Sequence, residues 1–316
     1  MSSPTSTERP GLIEARPVRH PWRWVAIAVI ALLSAMLANM IFTNSAFDWS
    51  FVFQAMVQTP VLRGLYIGTL LITALAMIVG VLGGVLTAVM RLSDNPILSG
   101  VAWVFTWFFR GIPRLVLLST MGALGILFQQ GLGLGIPFDW KIQQLLGISA
   151  DWRFATLDAN SLFAGLFGAV LGLGLSEAAY MSEIARAGIL SVDRGQAEAA
   201  EALGMSSGKT MLRIVLPQAM RVIVPPTGNE TIAMVKDTSL LIALPLSTEL
   251  FFQLSAIGSR TYKTFPAFVA ASMWYLIVTS ILMVGQFYLE RYFGRGFGQK
   301  KPKNKRFARG AGMGGA

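Results

Sequence analysis

The segment from Gly204 to Thr210 ends in Gly-Lys-Thr, a triplet that closes many phosphate-binding loops. Such a loop has another glycine five positions before the glycine of the triplet. It also follows a buried strand, so that its amides surround the phosphates. Here Gly204 and Gly208 are only four positions apart, and strong helix formers occupy positions 196–203. The sequence therefore predicts no nucleotide site and no enzymatic activity for this chain.

The sequence also argues against metal and thiol chemistry. The chain has no cysteine, which excludes disulfides, thiolate metal sites and cysteine nucleophiles. Its one histidine, His20, lies among arginines and has no second strong metal ligand nearby. We therefore predict no metal site, no bound cofactor and no catalytic residue.

Two acidic residues, Glu177 and Glu183, interrupt the otherwise apolar stretch 159–184. A charged side chain inside a membrane is costly unless it faces a cavity or a partner. Glu177, the deeper of the two, could receive the ammonium group or the cationic side chain of a transported molecule. Glu183 could line the same pathway near a gate, or it could form an ion pair with Arg110 or with Arg186, which follows at i to i+3 spacing. Structural ion pairing is the commoner role for such a residue.

Lys236 and Asp237 are further candidates for the pathway of a transported molecule. We expect them to begin an apolar stretch, 238–257, which Pro245 interrupts. A broken helix can expose backbone polar groups to a cavity. An equally weighted alternative is structural, in which Lys236 extends to the membrane interface, Asp237 or Thr238 caps the helix, and the proline only kinks it.

These residues belong to a chain whose composition is that of an integral membrane protein. Of its 316 residues, 54% are hydrophobic and only 13% are charged, whereas soluble domains carry about 25% charged residues. About 20 helical residues cross the hydrocarbon layer of a membrane. We predict an all-α polytopic membrane protein with about six transmembrane helices, in the regions 24–47, 64–90, 95–138 (one broken span), 159–184, 238–257 and 264–289.

Some glycines within these regions have the GxxxG spacing that lets two helices approach closely. They predict tight packing between helices and indicate nothing about a transported molecule. The pairs are Gly64/Gly68, Gly80/Gly84 and Gly168/Gly172.

The positive charges predict the orientation of the spans. If six spans alternate, 19 of the 26 Lys and Arg residues fall on one side of the membrane and five on the other, while Arg110 and Arg114 lie inside the third region. The positive-inside rule then places both termini in the cytoplasm. The segment 186–236 would be cytoplasmic, and the segment 129–158 would face outward.

The segment 186–236 contains a pattern that predicts a hairpin of two short helices. Residues 196–203 favour a helix that ends at Gly204, where a left-handed residue is expected. Ser206 or Ser207 could cap the next helix, which we expect to stop near Pro217. Such a hairpin offers a rigid projection to a partner protein, and simple packing of a loop is the alternative.

Seven residues of this hairpin form a specific pattern: Glu198-Ala199-Ala200, Gly204, Ile214 and Leu216-Pro217. The pattern resembles the EAA loop of bacterial ABC-importer permeases at every defined position. Further segments resemble signatures of the polar amino-acid branch of that family, the histidine/glutamine/glutamate/arginine type. They cover about residues 60–292 and lie at 69–73, 109–113, 179–188, 195–196, 225–230 and 236–240.

The resemblance implies a permease subunit of an ATP-driven amino-acid importer. Similar proteins work as dimers of identical or related permeases, bound to two ATPase subunits that use ATP and Mg and supplied by an extracytoplasmic binding protein. The EAA residues would couple the permease to the ATPase, with Glu198 as a polar contact, Ala199 and Ala200 allowing close approach, Gly204 forming the turn and Pro217 the exit. The chain would lie in the bacterial inner membrane and move a polar or charged amino acid inward by alternating access.

The resemblance also divides the chain. The permease domain would occupy residues 60–292, with its coupling loop at 186–236. The segment 1–23 would be basic and cytoplasmic, and the helix at 24–47 is additional to the usual five-helix core. The basic, glycine-rich tail 293–316 is expected to be disordered and to contact anionic lipid rather than nucleic acid.

Two other classes of function remain open from the residues alone. A secondary transporter driven by an ion gradient would show inverted repeats and acids that pair across spans, and the chain has no clear internal repeat. A membrane scaffold would use the hairpin to recruit partners without transport. Glu177 departs from the neutral polar or small residues that similar permeases commonly have there, so the class of amino acid stays open.

Overall fold

The computed structural model describes residues 21–128, 131–147, 152–244 and 246–294. It divides into an N-terminal unit, residues 1–48, and a main unit, residues 49–316. Most of the predicted basic segment 1–23, the kink at Pro245 and the tail from residue 295 onward lie outside the described residues.

The N-terminal unit contains one long helix, α1 (Trp22–Thr43), none of whose residues is buried. Its 22 residues extend about 33 Å, enough to cross a hydrocarbon layer. The helix ends at Thr43 rather than at the predicted residue 47, because Asn44 leaves the helical conformation. The Asn44 side chain accepts a hydrogen bond of 2.9 Å from the Ala46 amide and so begins a 3₁₀ turn (Ser45–Phe47).

The main unit is built almost entirely of helices. Its elements in chain order are α2 (Trp49–Met56), α3 (Thr59–Arg63), a π-helical segment (Gly64–Leu71), α4 (Ile72–Arg91), α5 (Pro96–Gly111), α6 (Arg114–Leu127), β1 (Leu132–Gly135), α7 (Asp139–Leu146), β2 (Arg153–Leu157), α8 (Ala159–Phe163), α9 (Gly165–Leu190), α10 (Arg194–Ala202), α11 (Ser207–Thr210), a second π-helical segment (Met211–Val215), α12 (Leu216–Asp237), a 3₁₀ segment (Thr238–Ala243), α13 (Leu250–Thr261) and α14 (Thr264–Phe293).

The all-α polytopic fold class is confirmed. Within the described residues, three helical stretches are long and apolar enough to cross a membrane by themselves: Trp22–Thr43, Thr59–Arg91 and Thr264–Phe293. The bent pair α5 and α6 satisfies the same criteria as one broken span, which agrees with the break predicted in 95–138, but its helices end at Leu127 rather than at residue 138. The count of six spans and the cytoplasmic position of the termini stay predictions.

The helix after the hairpin does not stop at Pro217, so that prediction is wrong. Pro217 lies in the first turn of α12, where a residue needs no intrahelical amide bond, and the helix continues to Asp237. Lys236 and Asp237 therefore end a helix instead of beginning a span. The chain then tightens into the 3₁₀ segment 238–243.

The main unit is organised around the contact of α4 with α9, the most extensive between any two helices. The glycines of α4 make this contact possible, as their GxxxG spacing predicted. A Cβ atom added to Gly80 would lie 2.5 Å from Cγ of Glu177, and one added to Gly84 would lie 2.4 Å from Cβ of Met181. Side chains of α9 thus rest directly on the backbone of α4.

Buried apolar side chains form two clusters. One joins α4, α6 and α9 to the end of α12 and the 3₁₀ segment, and includes Ile72, Leu118, Leu173 and Met234. The other joins α2, α3, α13 and α14, and includes Leu250. The first cluster supports the helices that carry most of the candidate pathway residues.

The predicted outward segment 129–158 contains an element that the sequence did not predict. Strands β1 and β2 form an antiparallel pair in which Leu132 lies opposite Leu157, and the short helix α7 lies between them in sequence. A cavity of about 1110 Å³ is lined by this pair and the end of α6.

Candidate functional site

The candidate site is built around the break between α5 and α6, whose axes differ in direction by 100°. Pro113 disfavours a helical conformation at Ile112, which is extended with φ −96° and ψ 128°. The new helix begins at Arg114, directly after the bend.

Arg114 joins two acidic residues from different helices. Its Nη2 atom lies 2.7 Å from Oε2 of Glu177 on α9, and its Nη1 atom donates to Oδ2 of Asp237 at the end of α12. The guanidinium Cζ lies 5.0 Å from the ring centroid of Tyr180, which adds a cation–π contact. One cation therefore holds α6, α9 and α12 together.

Glu177 is completely buried. Its Cβ and Cγ atoms lie against Gly80, and its carboxylate binds Arg114. The Oε2 atom is paired, whereas the buried Oε1 atom receives no hydrogen bond from any described residue. A buried carboxylate oxygen without a donor is unfavourable, so this atom is suited to receive a donor from a bound molecule.

The structure brings together two of the five residues predicted for the pathway, Glu177 and Asp237, through an arginine that sequence reasoning assigned only to a span. Residues 114 and 177 are 63 positions apart, so no local pattern pairs them. One signal was nevertheless available. A buried acid requires a cation or several donors, and Arg114 follows a proline within an apolar region.

Glu183 lies in a separate cluster with three arginines. Arg186 donates to its Oε2 from Nε at 3.0 Å and from Nη2 at 2.8 Å, as the i to i+3 spacing predicted. Arg91 and Arg110 approach its Oε1 at 3.7 and 4.0 Å. Arg110 thus joins the Glu183 cluster, while Lys236 is exposed at the end of α12.

The predicted hairpin is present, and its turn is fixed by Gly204. This residue has φ +76°. Its amide donates to the carbonyl of Glu201 at 2.8 Å, and the Met205 amide donates to the carbonyl of Ala200 at 3.1 Å. These two bonds form a Schellman motif, which satisfies the free carbonyls at the end of α10 and favours glycine at the left-handed position.

The EAA residues differ in what they present to a partner. Glu198, Ala199, Gly204 and Pro217 are exposed, Ile214 and Leu216 are half-buried, and Ala200 is buried within the chain. Ala200 is therefore not accessible in this conformation, and its close approach to a partner stays a prediction. Two leucines, Leu203 and Leu212, are 84% and 66% exposed and add apolar surface to the hairpin.

Comparison with known proteins identifies the family of this chain. A family model described as "binding-protein-dependent transport system inner membrane component" matches residues 80–295, which is more than half of the chain. The chain belongs to this family. It is thus a permease component of an ABC importer, a class of proteins that are not enzymes.

Individual relatives are amino-acid permeases. The arginine transport system permease protein ArgU of Corynebacterium glutamicum is 46% identical over 296 residues, which cover 92% of this chain and 86% of that protein. The glutamate/aspartate import permease protein GltK of Escherichia coli is 34% identical over 245 residues, covering 78% of this chain and 97% of that protein. The permease therefore belongs to the polar amino-acid branch.

Solved structures agree with this assignment. A crystal structure of an amino acid ABC transporter with histidines matches with a TM-score of 0.55 and 29% identity, covering 74% of this permease and 94% of that chain. The MetNI methionine ABC transporter in an inward-facing conformation matches with a TM-score of 0.53 and 18% identity over 74% of this permease and 96% of that chain, and shows the fold alone. The permease is a multi-pass protein of the membrane.

Proposed function

We propose that this permease moves a cationic amino acid, of the arginine type, into the cytoplasm, and that the molecule passes Glu177. The observation that carries the proposal is the buried Oε1 atom of Glu177, which has no donor among the described residues. An ammonium or guanidinium group would supply that donor as a charge-assisted hydrogen bond. The similarity to an arginine permease supports the same class of substrate.

The charges around Glu177 favour a cation over an anion. Arg114 pairs with both Glu177 and Asp237. Two carboxylates that share one guanidinium leave an excess of negative charge. In a site that water reaches poorly, such an excess attracts a cationic ligand and disfavours an anionic one.

We infer that the hairpin couples the permease to ATP hydrolysis in a partner. A separate ATPase subunit would bind ATP and Mg and would change conformation when it does so. The hairpin would transmit this change to the spans through its exposed residues Glu198, Ala199, Gly204 and Pro217. A second permease subunit and an extracytoplasmic binding protein would complete the importer. The exposed leucines of the hairpin support a docking role, because apolar surface on a projecting element favours a protein partner.

The substrate proposal is tested by reconstituting the permease with its ATPase and binding protein in vesicles. We expect ATP-dependent uptake of arginine to exceed that of glutamate, and Glu177→Gln to lower arginine uptake at least tenfold while the ATPase still co-purifies. The matched control is Glu249→Gln, a second buried acid, both of whose oxygens already accept hydrogen bonds within the chain. Equal arginine uptake by Glu177→Gln and the parent protein would contradict the proposal.

The coupling proposal is tested at the turn of the hairpin. Gly204→Asp adds a charge where a new Cβ meets no atom of the chain, and aspartate tolerates the left-handed conformation better than most residues. We expect normal insertion into the membrane together with loss of ATPase co-purification and of uptake. Gly208→Asp is the control, since it also points into open space. Retained co-purification by Gly204→Asp would refute this role of the hairpin.

A further inference from the structure

The cluster around Glu183 carries more positive charge than it neutralises. Arg91, Arg110 and Arg186 face one carboxylate, and Glu183 is the only acid within ion-pair distance of any of the three in the described part of the chain. Two positive charges are left over. Their side chains remain reachable, with exposed fractions of 19%, 46% and 33% respectively.

These arginines line two adjoining cavities of about 390 and 530 Å³, which share Arg91 and Trp103. The wall of the cavities is α5, where Trp103 and Trp107 stack with centroids 6.2 Å apart. Both rings are more than half exposed. Tryptophans of this kind are typical of the interface between a membrane and water.

The rest of the outer surface of α5 is apolar and exposed, including Ile97, Val101 and Val104. A basic pocket therefore opens beside a surface that suits acyl chains. Its arginines lie at the end of α4 (Arg91), near the end of α5 (Arg110) and in the last turns of α9 (Arg186). Arginine binds phosphate oxygens through two parallel hydrogen bonds, and basic pockets between membrane helices bind acidic headgroups.

We propose that Arg91, Arg110 and Arg186 bind the phosphate group of an anionic phospholipid, whose acyl chains lie along Trp103, Trp107 and the apolar surface of α5. Arg186 exchanges part of its contact with Glu183 for the phosphate. The proposal does not rest on which molecule is transported, and it requires only that the permease lies in a membrane.

The test is native mass spectrometry of the purified full chain in neutral detergent with added phosphatidylglycerol or phosphatidylcholine. We expect tighter retention of phosphatidylglycerol, and inorganic phosphate at the same concentration should not displace it. Arg91→Gln and Arg186→Gln should each weaken its retention about fivefold, since one basic residue near an acidic lipid surface contributes about 1 kcal/mol. Glu183→Gln should strengthen retention, because it raises the excess charge.

The control is Arg260→Gln, an exposed arginine on α13 that should leave retention unchanged. Equal retention of the two lipids, or no effect of both Arg91→Gln and Arg186→Gln in protein with an unchanged unfolding temperature, would overturn the proposal. Displacement of the lipid by inorganic phosphate would show a site for soluble anions instead. Because the chain has no cysteine, Trp107→Cys offers a further check: complete disulfide-linked dimers in membranes would show that a second copy covers α5.

Discussion

Two completely buried glutamates, Glu177 and Glu249, are held in different ways. Glu177 binds one cation, Arg114, through one oxygen and leaves the other oxygen without a donor from the described residues. Glu249 caps α13, and both of its oxygens are fully occupied by neutral donors. They are the Thr69 hydroxyl at 3.1 Å, the Tyr275 hydroxyl at 2.6 Å, and the amides of Phe251 and Phe252 at 2.7 and 3.1 Å.

The difference separates a structural acid from one that can take part in transport. The bonds of Glu249 lie between the π-helical segment 64–71, α13 and α14, and leave no capacity for a ligand. Glu177 has unused capacity and a partner, Arg114, that is shared with Asp237. A buried acid is therefore informative about transport only once its donors have been counted.

The largest expected effect is that of removing the shared cation. Arg114→Gln leaves Glu177 and Asp237 without their cation, which should lower the free energy of unfolding by about 3–5 kcal/mol. Thermal unfolding in detergent measures the loss. The double variant Arg114→Gln with Glu177→Gln should recover much of it, because it removes the buried unpaired charge. A loss below about 1 kcal/mol for the single variant would show that the pair does not hold these helices together.

The next largest expected difference is in stability, between glutamine substitutions of the two buried acids Glu177 and Glu249. Glu177→Gln weakens a charge-assisted bond and should destabilise the permease by about 1.5–3 kcal/mol. Glu249→Gln should destabilise it by less than about 1 kcal/mol, because glutamine can accept from both amides while its NH₂ group donates to hydroxyls that can also accept. Unfolding temperatures of the two purified variants give the order, and the reverse order would remove the distinction.

A substitution at Gly80 tests the packing of α4 against the side chain of Glu177. Gly80→Ala places a Cβ 2.5 Å from Cγ of Glu177, and we expect a loss of about 1–3 kcal/mol from overpacking together with reduced uptake. Gly285→Ala is the matched control in α14. Its Cβ meets nothing within 4 Å, so the better helix propensity of alanine should stabilise the protein slightly. Equal behaviour of the two variants would show that α4 and α9 separate easily.

The smallest effect concerns one donor of Glu249. Thr69→Val removes one of four hydrogen bonds and should cost about 0.6 kcal/mol, a typical value for such bonds between membrane helices. Thr73→Val, one turn later, should be neutral or stabilising, because the buried Thr73 hydroxyl has no partner among the described residues. Chemical denaturation of both variants checks the difference, and a larger loss for Thr73→Val would contradict the assignment of donors.

The sequence predicted the features that depend on local pattern. The membrane class follows from composition, the turn at Gly204 from the residues around it, and the pair of Glu183 with Arg186 from helical spacing. It could not predict that Arg114 meets Glu177, because that contact depends on the 100° bend between α5 and α6 and on the packing of α9. Nor could it tell that α12 continues through Pro217, since a proline at the first turn of a helix and one after its end look alike in sequence.

The contact of α4 with α9 has a mechanical consequence. Gly80 and Gly84 leave no room for one additional carbon atom between the two helices, so neither helix can slide along the other without a collision. We therefore expect the two helices to move together as one rigid body. Only three residues separate the end of α9 from the hairpin helix α10. We therefore expect that a displacement of that hairpin would be carried along about 20 Å of helix to Glu177 rather than absorbed between the helices.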